Sequence, residues 1–456
     1  MARTRTHYVC QQCGQAQTTW MGRCSACGAW NSLVEELEPS ARSGRPSRGP
    51  GATGSSKAIP LSRVPMGDGG EVRLRVGIGE LDRVLGGGLV TGSLVLLGGD
   101  PGVGKSTLLL LGMQAFAARG ARVLYVSAEE SARQVRLRAD RLGVVSDDLW
   151  LLAETSLAAV QAAVDEVKPK VLVLDSVQTL HNPELDGVPG SISQVREVAS
   201  QAMAWAKGRD IATFLVGHVT KEGNLAGPRT LEHLVDTVVY FEGDGSSALR
   251  ILRATKNRFG STGEIGMFEM REEGLAEVPD ASARLLHERA TDAPGTVVTC
   301  SMEGSRPLLV EVQALVGRPT PSTPGRTAVG LDRNRLAMIL AVLSRNGLDL
   351  GDRDVFVSIA GGVRVLEPAV DLAVAVALHA SAFGRVVPSD LLVFGEVGLV
   401  GEIRGVPSPL ARLREAERHG FRSALLPPSA MDAVATAGLR IRMTAPRNIA
   451  SALGSE

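Results

Sequence analysis

The chain has 456 residues, enough for two to four domains that each bury a core of their own. Lysine plus arginine and aspartate plus glutamate both number 49, so no global basic field announces nucleic acid and any such surface must be local. There is no apolar run of about eighteen residues and no apolar signal core in MARTRTHYVC, so a cytoplasmic protein without a membrane span is expected.

The first predicted element is a small module over residues 1–37. Four of the five cysteines fall here as Cys10-x₂-Cys13 and Cys24-x₂-Cys27. Gly14 and Gly28 each follow the second cysteine of a pair, which suits two tight knuckles. Four thiolates at this spacing match a tetrahedral structural zinc site, with a redox dithiol pair as the competing reading. So short a segment cannot build a self-sufficient apolar core, whereas zinc contributes on the order of 10–16 kcal/mol to such folds. With all four ligand positions taken by cysteine, the site is not catalytic. Trp20 and Trp30 pack against the knuckles or stack on a base. The fifth cysteine, Cys300, reads as a small core residue.

Residues 38–57 hold no bulky aliphatic or aromatic side chain and are dense in Ser, Gly, Pro and Arg, the composition of a flexible linker. Globular patterning starts at Ile59. Leu81 to Leu85 reads as a short helix ended by Gly86, Gly87 and Gly88. An apolar strand, Leu94 to Leu97, then feeds a glycine-rich turn and a helix over about 105–119. Further apolar strands are predicted at 122–126, 149–152, 171–175 and 211–217. Helices over about 156–167 and 193–207 alternate with them. That alternation implies an α/β domain with a parallel sheet covered on both faces, and ligands then bind beyond the carboxyl ends of the strands.

The turn supplies the chemistry. Gly99, Gly104, Lys105 and Ser106 satisfy G-x-x-x-x-G-K-[ST], with Asp100, Pro101, Gly102 and Val103 as the free positions and Thr107 next. Glycines let backbone N–H groups curl around phosphate, and the helix N-terminus adds partial positive charge. Lys105 would reach the β- and γ-phosphates and Ser106 would sit on Mg²⁺, so the expected ligands are ATP and Mg²⁺. Asp175 closes an apolar strand and is the candidate second magnesium ligand. Glu129 ends another and is the candidate for activating the attacking water, ahead of Glu130, which can cap the next helix. His218, after the 211–217 strand, is a γ-phosphate sensor or a satisfied polar residue.

Six separate blocks, ELDRVLGGGL, GGDPGVGKSTLL, VSAEES, VLVLDSVQT, GHVTKEG and KNRFG, resemble the bacterial RadA (Sms) family of RecA-like recombination ATPases. The resemblance runs from Cys10 to about Pro428. It implies a RecA-like core and a ring-shaped homo-oligomer, hexameric by analogy with replicative helicases. Such a ring would hydrolyse ATP and move on single-stranded DNA and recombination intermediates, beside a recombinase or replicative helicase. It also makes Lys221 and Arg229, in the loop 220–232, candidates for phosphate-backbone contacts. Lys256 and Arg258, following a strand over 249–255, become candidates for completing a neighbour's ATP site in trans. An arginine finger is worth about 10³–10⁵ in rate.

From about Ala290 the pattern turns to α+β. The runs LEPAVDLAVAVALHA, LLVFGEVGLVGEIRGV and LARLREAERHGF are similar to the Lon protease domain. In that family a serine is the nucleophile and a lysine its base. Here those positions hold Ala369 and Arg412. Alanine has no nucleophile, arginine cannot accept a proton near neutrality, and no lysine follows Lys256. The domain is therefore read as a scaffold and not a protease, with Arg333, Arg335 and Arg345 as candidate DNA contacts or ordinary solvated charges. The expected division is 1–37 zinc module, 38–57 linker, 58–285 ATPase domain and 286–456 Lon-like domain. A DNA-dependent motor is the leading function. A nucleotide-switched protein-interaction ATPase of the clock-ATPase kind, with no action on DNA, is the alternative.

Overall fold

The structure, a computed structural model, describes residues 6–10, 15–26, 28, 30, 33–37, 60, 62, 73–217, 231–243, 248–319 and 324–454. The amino-terminal segment forms a three-stranded antiparallel sheet of β1 (Thr6–Cys10), β2 (Ala16–Gln17) and β3 (Leu33–Leu37), with β1 in the middle. Its core is Cys10, Cys24 and Leu33, with Tyr8 packed against them.

The nucleotide-binding pattern resolves into a nine-stranded sheet and a separate pair of short strands. After β4 (Arg73–Leu74), α1 (Gly79–Val84) and β5 (Leu89–Val90), which pairs with β4, come β6 (Leu94–Gly99), α2 (Lys105–Ala117) and β7 (Val123–Ser127). Next are α3 (Ala132–Arg141), β8 (Leu149–Ala153), α4 (Leu157–Val167), β9 (Val171–Asp175), α5 (Ile192–Arg209) and β10 (Ala212–Val216). Strands β11 (Thr237–Glu242), β12 (Leu249–Asn257), β13 (Ile265–Arg271) and β14 (Gly274–Glu277) complete the sheet, in the order β14-β13-β12-β11-β6-β10-β9-β7-β8.

From β11 to β8 every pairing is parallel. Alternation along β6 shows why both faces are covered. Val95 and Leu97 join Leu108, Leu109, Met113 and Phe116 of α2 on one side. Leu94 and Leu96 meet Val160 and Val164 of α4 and Val195, Val198 and Ala202 of α5 on the other. A strand buried on both sides has no polar face, hence its continuous apolar sequence. The sheet departs from the all-parallel expectation on one flank, where β12, β13 and β14 add antiparallel hairpins.

The second compact unit begins at Val278, so the helix Ala281–Leu286, assigned from sequence to the ATPase domain, is part of it. Ser282 is the reason: its hydroxyl accepts from Leu309 N (3.1 Å) and donates to Glu415 (2.6 Å), both in this unit. The unit holds a seven-stranded mixed sheet. Its central pair is β15 (Thr296–Glu303) and β16 (Arg306–Pro319), flanked by β17 (Arg326–Val329), β18 (Arg353–Ile359) and β19 (Leu391–Val393), and then by two short strands at Ser423–Leu425 and Arg442–Thr444. The alanine/valine-rich helix spans Asp371–Ala382, and the last amphipathic one Pro409–Arg418. The strand expected over 391–396 stops at Val393. Gly395, at φ 157°, turns the chain so that Glu396–Val397 pairs instead with Ile403–Arg404. Among the described residues no helix is long and apolar enough to cross a membrane.

Candidate active site

Strand β6 delivers the glycine-rich turn at its carboxyl end and α2 leaves it at Lys105. Gly99 is required by packing, since a Cβ there would sit 2.3 Å from the carbonyl oxygen of Phe241 on β11. Gly104, the residue before α2, has φ 109°, a left-handed conformation that turns the first N–H groups of the helix toward the mouth of the loop. Those donors and the helix dipole make an anion site. Lys105 is buried, and its ammonium donates to the carbonyl oxygens of Gly99 (2.8 Å) and Asp100 (3.0 Å). Burial holds its pKa below the ordinary lysine value, while the charges of Asp175, Glu129 and Asp100 oppose that shift.

Asp175 is the last residue of β9, paired in register with Ser127 of β7, and is largely buried. Its Oδ2 accepts from the phenol of Tyr125 at 2.5 Å, and the Ser106 hydroxyl lies beside that same phenol. Burial, then the Asp175 charge, push the Tyr125 pKa well above its ordinary value, so the phenol is a donor. A carboxylate and a hydroxyl beside one phenol give the hard oxygen donors that Mg²⁺ takes, so these residues fit that ion. Glu129 lies two residues beyond the end of β7, exposed, and accepts from the Ser176 hydroxyl. Glu130 is engaged elsewhere: its carboxylate pairs with Arg138 of α3 at 2.5 Å, and its backbone bonds to Ser127. Gly99 to Thr107, Glu129 and Asp175 thus converge at the carboxyl ends of β6, β7 and β9.

The KNRFG block corrects one expectation. Lys256 and Asn257 do not follow a strand; they are the last residues of β12, opposite Val238 and Thr237, with a bulge that leaves Thr255 unpaired in the register. Lys256 donates to the carbonyl oxygen of Glu232 at 2.6 Å. The Arg258 guanidinium lies 3.2 Å from Asp236, a buried carboxylate that also accepts from Lys207 (2.6 Å) and from the N–H of Leu94 at the start of β6 (3.1 Å). The block meets the ELDRVLGGGL turn, because Arg73 donates to the carbonyl oxygens of both Phe259 and Leu85. His218, Lys221 and Arg229 lie outside the described residues.

Of the four amino-terminal cysteines, Cys10 and Cys24 are buried side by side in the small core, and Cys13 and Cys27 lie outside the described residues. Gly28 N–H donates to the carbonyl oxygen of Cys24 at 2.9 Å, closing the second knuckle. Buried thiols in so small a core fit a thiophilic ion such as Zn²⁺.

In the second unit Ala369 is buried in a short 3₁₀ turn, and its carbonyl oxygen accepts from Gly395 N–H at 2.8 Å. Arg412 is completely buried. Its fork grips Glu367 at 2.7 and 2.8 Å, its Nε reaches the carbonyl oxygen of Pro407, and a further N–H meets that of Cys300. Every one of these is a structural bond, and this unit is not a protease. Arg335, a candidate DNA contact, is instead tied up. It holds buried Asp371 through two bonds of 2.5 and 3.1 Å, while Arg333 and Arg345 on the same helix are exposed. Tyr125, Ser176, Asp236 and Glu367 carried no sequence signal beyond core or surface polarity.

Comparison with known proteins agrees with this arrangement. A family model described as "AAA domain" matches residues 72–224, one described as "Rubredoxin metal binding domain" matches residues 8–35, and one described as "Subunit ChlI of Mg-chelatase" matches residues 310–430. DNA repair protein RadA of Pseudomonas aeruginosa is 49% identical over 442 residues, covering 97% of both chains. DNA repair protein RadA of Bacillus subtilis is 46% identical over 435 residues, covering 95% of this chain and 94% of that one. Among solved structures, a KaiC-like protein from Pyrococcus horikoshii OT3 is 22% identical, with a TM-score of 0.39, over 46% of this chain and 100% of that one. With a RecA-like P-loop core between a metal-binding ribbon and a Lon-like unit, and near-half identity along the full length, the chain belongs to the family of DNA repair protein RadA.

Proposed function

We propose that a ring of identical subunits, six by analogy with replicative helicases, uses ATP hydrolysis to move along single-stranded DNA and extend recombination intermediates during repair. The chain itself is an ATP hydrolase. The observation that carries the reading is the placement of Lys105, Ser106, Asp175 and Glu129 at or just past the carboxyl ends of β6, β9 and β7 in one parallel sheet. The loop N–H groups would cradle the phosphates, and Lys105 would exchange its carbonyl partners for the β- and γ-phosphate oxygens. Ser106 and Asp175 would hold Mg²⁺, which when bound neutralises charge on those oxygens. Glu129 would take a proton from water as its oxygen bonds to the γ-phosphorus and the bond to the ADP oxygen breaks. Lys256 and Arg258 would complete a neighbouring subunit's site. Cys10, Cys13, Cys24 and Cys27 would hold a structural Zn²⁺. Lys221, Arg229, Arg333 and Arg345 would meet DNA phosphates, in the cytoplasm and alongside a recombinase or replicative helicase.

The test is the ATPase rate with and without single-stranded DNA, for wild type and Lys105→Ala. Stimulation of the wild type by DNA and loss of turnover in the variant are expected. Hydrolysis indifferent to DNA, with nucleotide-dependent assembly and no DNA binding, would establish the protein-interaction switch instead.

A further inference from the structure

We propose that Tyr125 is a positioning residue for the metal end of the ATP site, locking Asp175 and Ser106 into one arrangement. This rests on the reading that those two residues hold Mg²⁺. Tyr125 is the middle residue of β7, whose five residues are all buried, and it pairs in register with Val173 of β9. Side chains two apart share a face, so Tyr125 lies on the same side of the sheet as Ser127, and Val173 on the same side as Asp175. That is the side covered by α2, since Tyr125, Val173, Leu108 and Leu109 belong to one core. The ring therefore runs under the first turn of α2 toward the strand ends, and its hydroxyl arrives where Asp175 and Ser106 meet.

Two contacts follow from that position. The phenol donates to Oδ2 of Asp175 at 2.5 Å, fixing the plane of the carboxylate and hence the direction of its other oxygen. The Ser106 hydroxyl, at the start of α2, lies beside the same phenol oxygen. An aliphatic residue would fill the same core volume without either contact. Partners that orient metal ligands in this manner are worth about 10- to 100-fold in metal affinity.

The experiment is titration of full-length protein with a fluorescent ADP analogue, in excess EDTA and in saturating Mg²⁺, for wild type, Tyr125→Phe and Asp175→Asn. Phenylalanine keeps the ring, so the core is preserved, and thermal unfolding checks that it is. For Tyr125→Phe the affinity in EDTA should stay within about twofold of wild type. The gain on adding Mg²⁺ should shrink about 10-fold, and the Mg²⁺ midpoint should rise by a similar factor. Equal weakening with and without Mg²⁺ would reduce Tyr125 to a packing role and overturn the proposal. So would a wild-type Mg²⁺ gain in Tyr125→Phe beside a lost gain in Asp175→Asn, leaving the metal assignment intact. A Mg²⁺ gain retained in Asp175→Asn would overturn the metal assignment and the proposal together.

Discussion

Arg258 donates to Asp236 across 3.2 Å, yet 57% of the arginine side chain is exposed while only 4% of the aspartate is. The acid is thus a fixed anchor and the guanidinium a surface group held at one edge. An arginine that only balanced Asp236 would affect stability. One that also reaches a neighbour's γ-phosphate would affect turnover. We expect Arg258→Ala to lower the ATPase rate about 10³-fold with nucleotide affinity nearly unchanged. Steady-state kinetics beside equilibrium nucleotide binding checks this; a lowered unfolding temperature with normal turnover would confine Arg258 to the anchor.

Glu129 and Glu130 are neighbours with separate duties. Glu129→Gln should cut hydrolysis by about 10²–10⁴-fold and leave ATP bound, as expected when a proton acceptor is lost. Glu130→Gln removes a partly exposed pair with Arg138 and should leave the rate within about twofold. Single-turnover hydrolysis on both variants decides the assignment, and the reverse order of effects would transfer the catalytic role to Glu130.

Among the described residues, the core of the amino-terminal module is Tyr8 and Leu33 around two buried cysteines. Cys24→Ser should release the metal and unfold this segment, as should a strong chelator, because metal binding supplies most of such a module's folding free energy. Nucleotide binding should persist. Metal content by atomic emission, with hydrogen exchange over residues 6–37, provides the readout; simultaneous loss of ATP binding would show the module is not independent.

Arg412, fully buried, and Glu367, partly exposed, form a fork-to-fork pair, so removing the carboxylate strands a buried guanidinium. Glu367→Gln should destabilise the second unit by about 3–5 kcal/mol. Arg412→Lys should fare little better, since an ammonium cannot span both carboxylate oxygens and the Cys300 carbonyl together. Chemical denaturation of both variants measures the loss.

Much of the ATPase core was legible because strands buried on two faces read as unbroken apolar runs; the strand expected over 171–175 is Val171–Asp175. Catalytic candidates at the ends of such runs followed from the same logic. What escaped were relations between distant segments. Tyr125 looked like core because periodicity reports burial and not what the hydroxyl touches. Asp236 sits 22 residues from Arg258 and Asp371 sits 36 from Arg335, so neither pair shows as a pattern. The strand over 249–255 was legible, but not its antiparallel pairing or the strands Ile265–Arg271 and Gly274–Glu277 beside it, because pairing direction leaves no mark in one strand's own sequence.

The fork at Arg412 also bears on what chemistry the domain could be given. A lysine at 412 would offer Glu367 one ammonium in place of a two-bond fork and could not at the same time donate to the Cys300 carbonyl. The exchange at 412 that a serine–lysine pair would require thus comes at the expense of the unit's own packing. Where a Lon-like protease would carry its nucleophile and base, this domain carries a packed methyl group and a buried guanidinium.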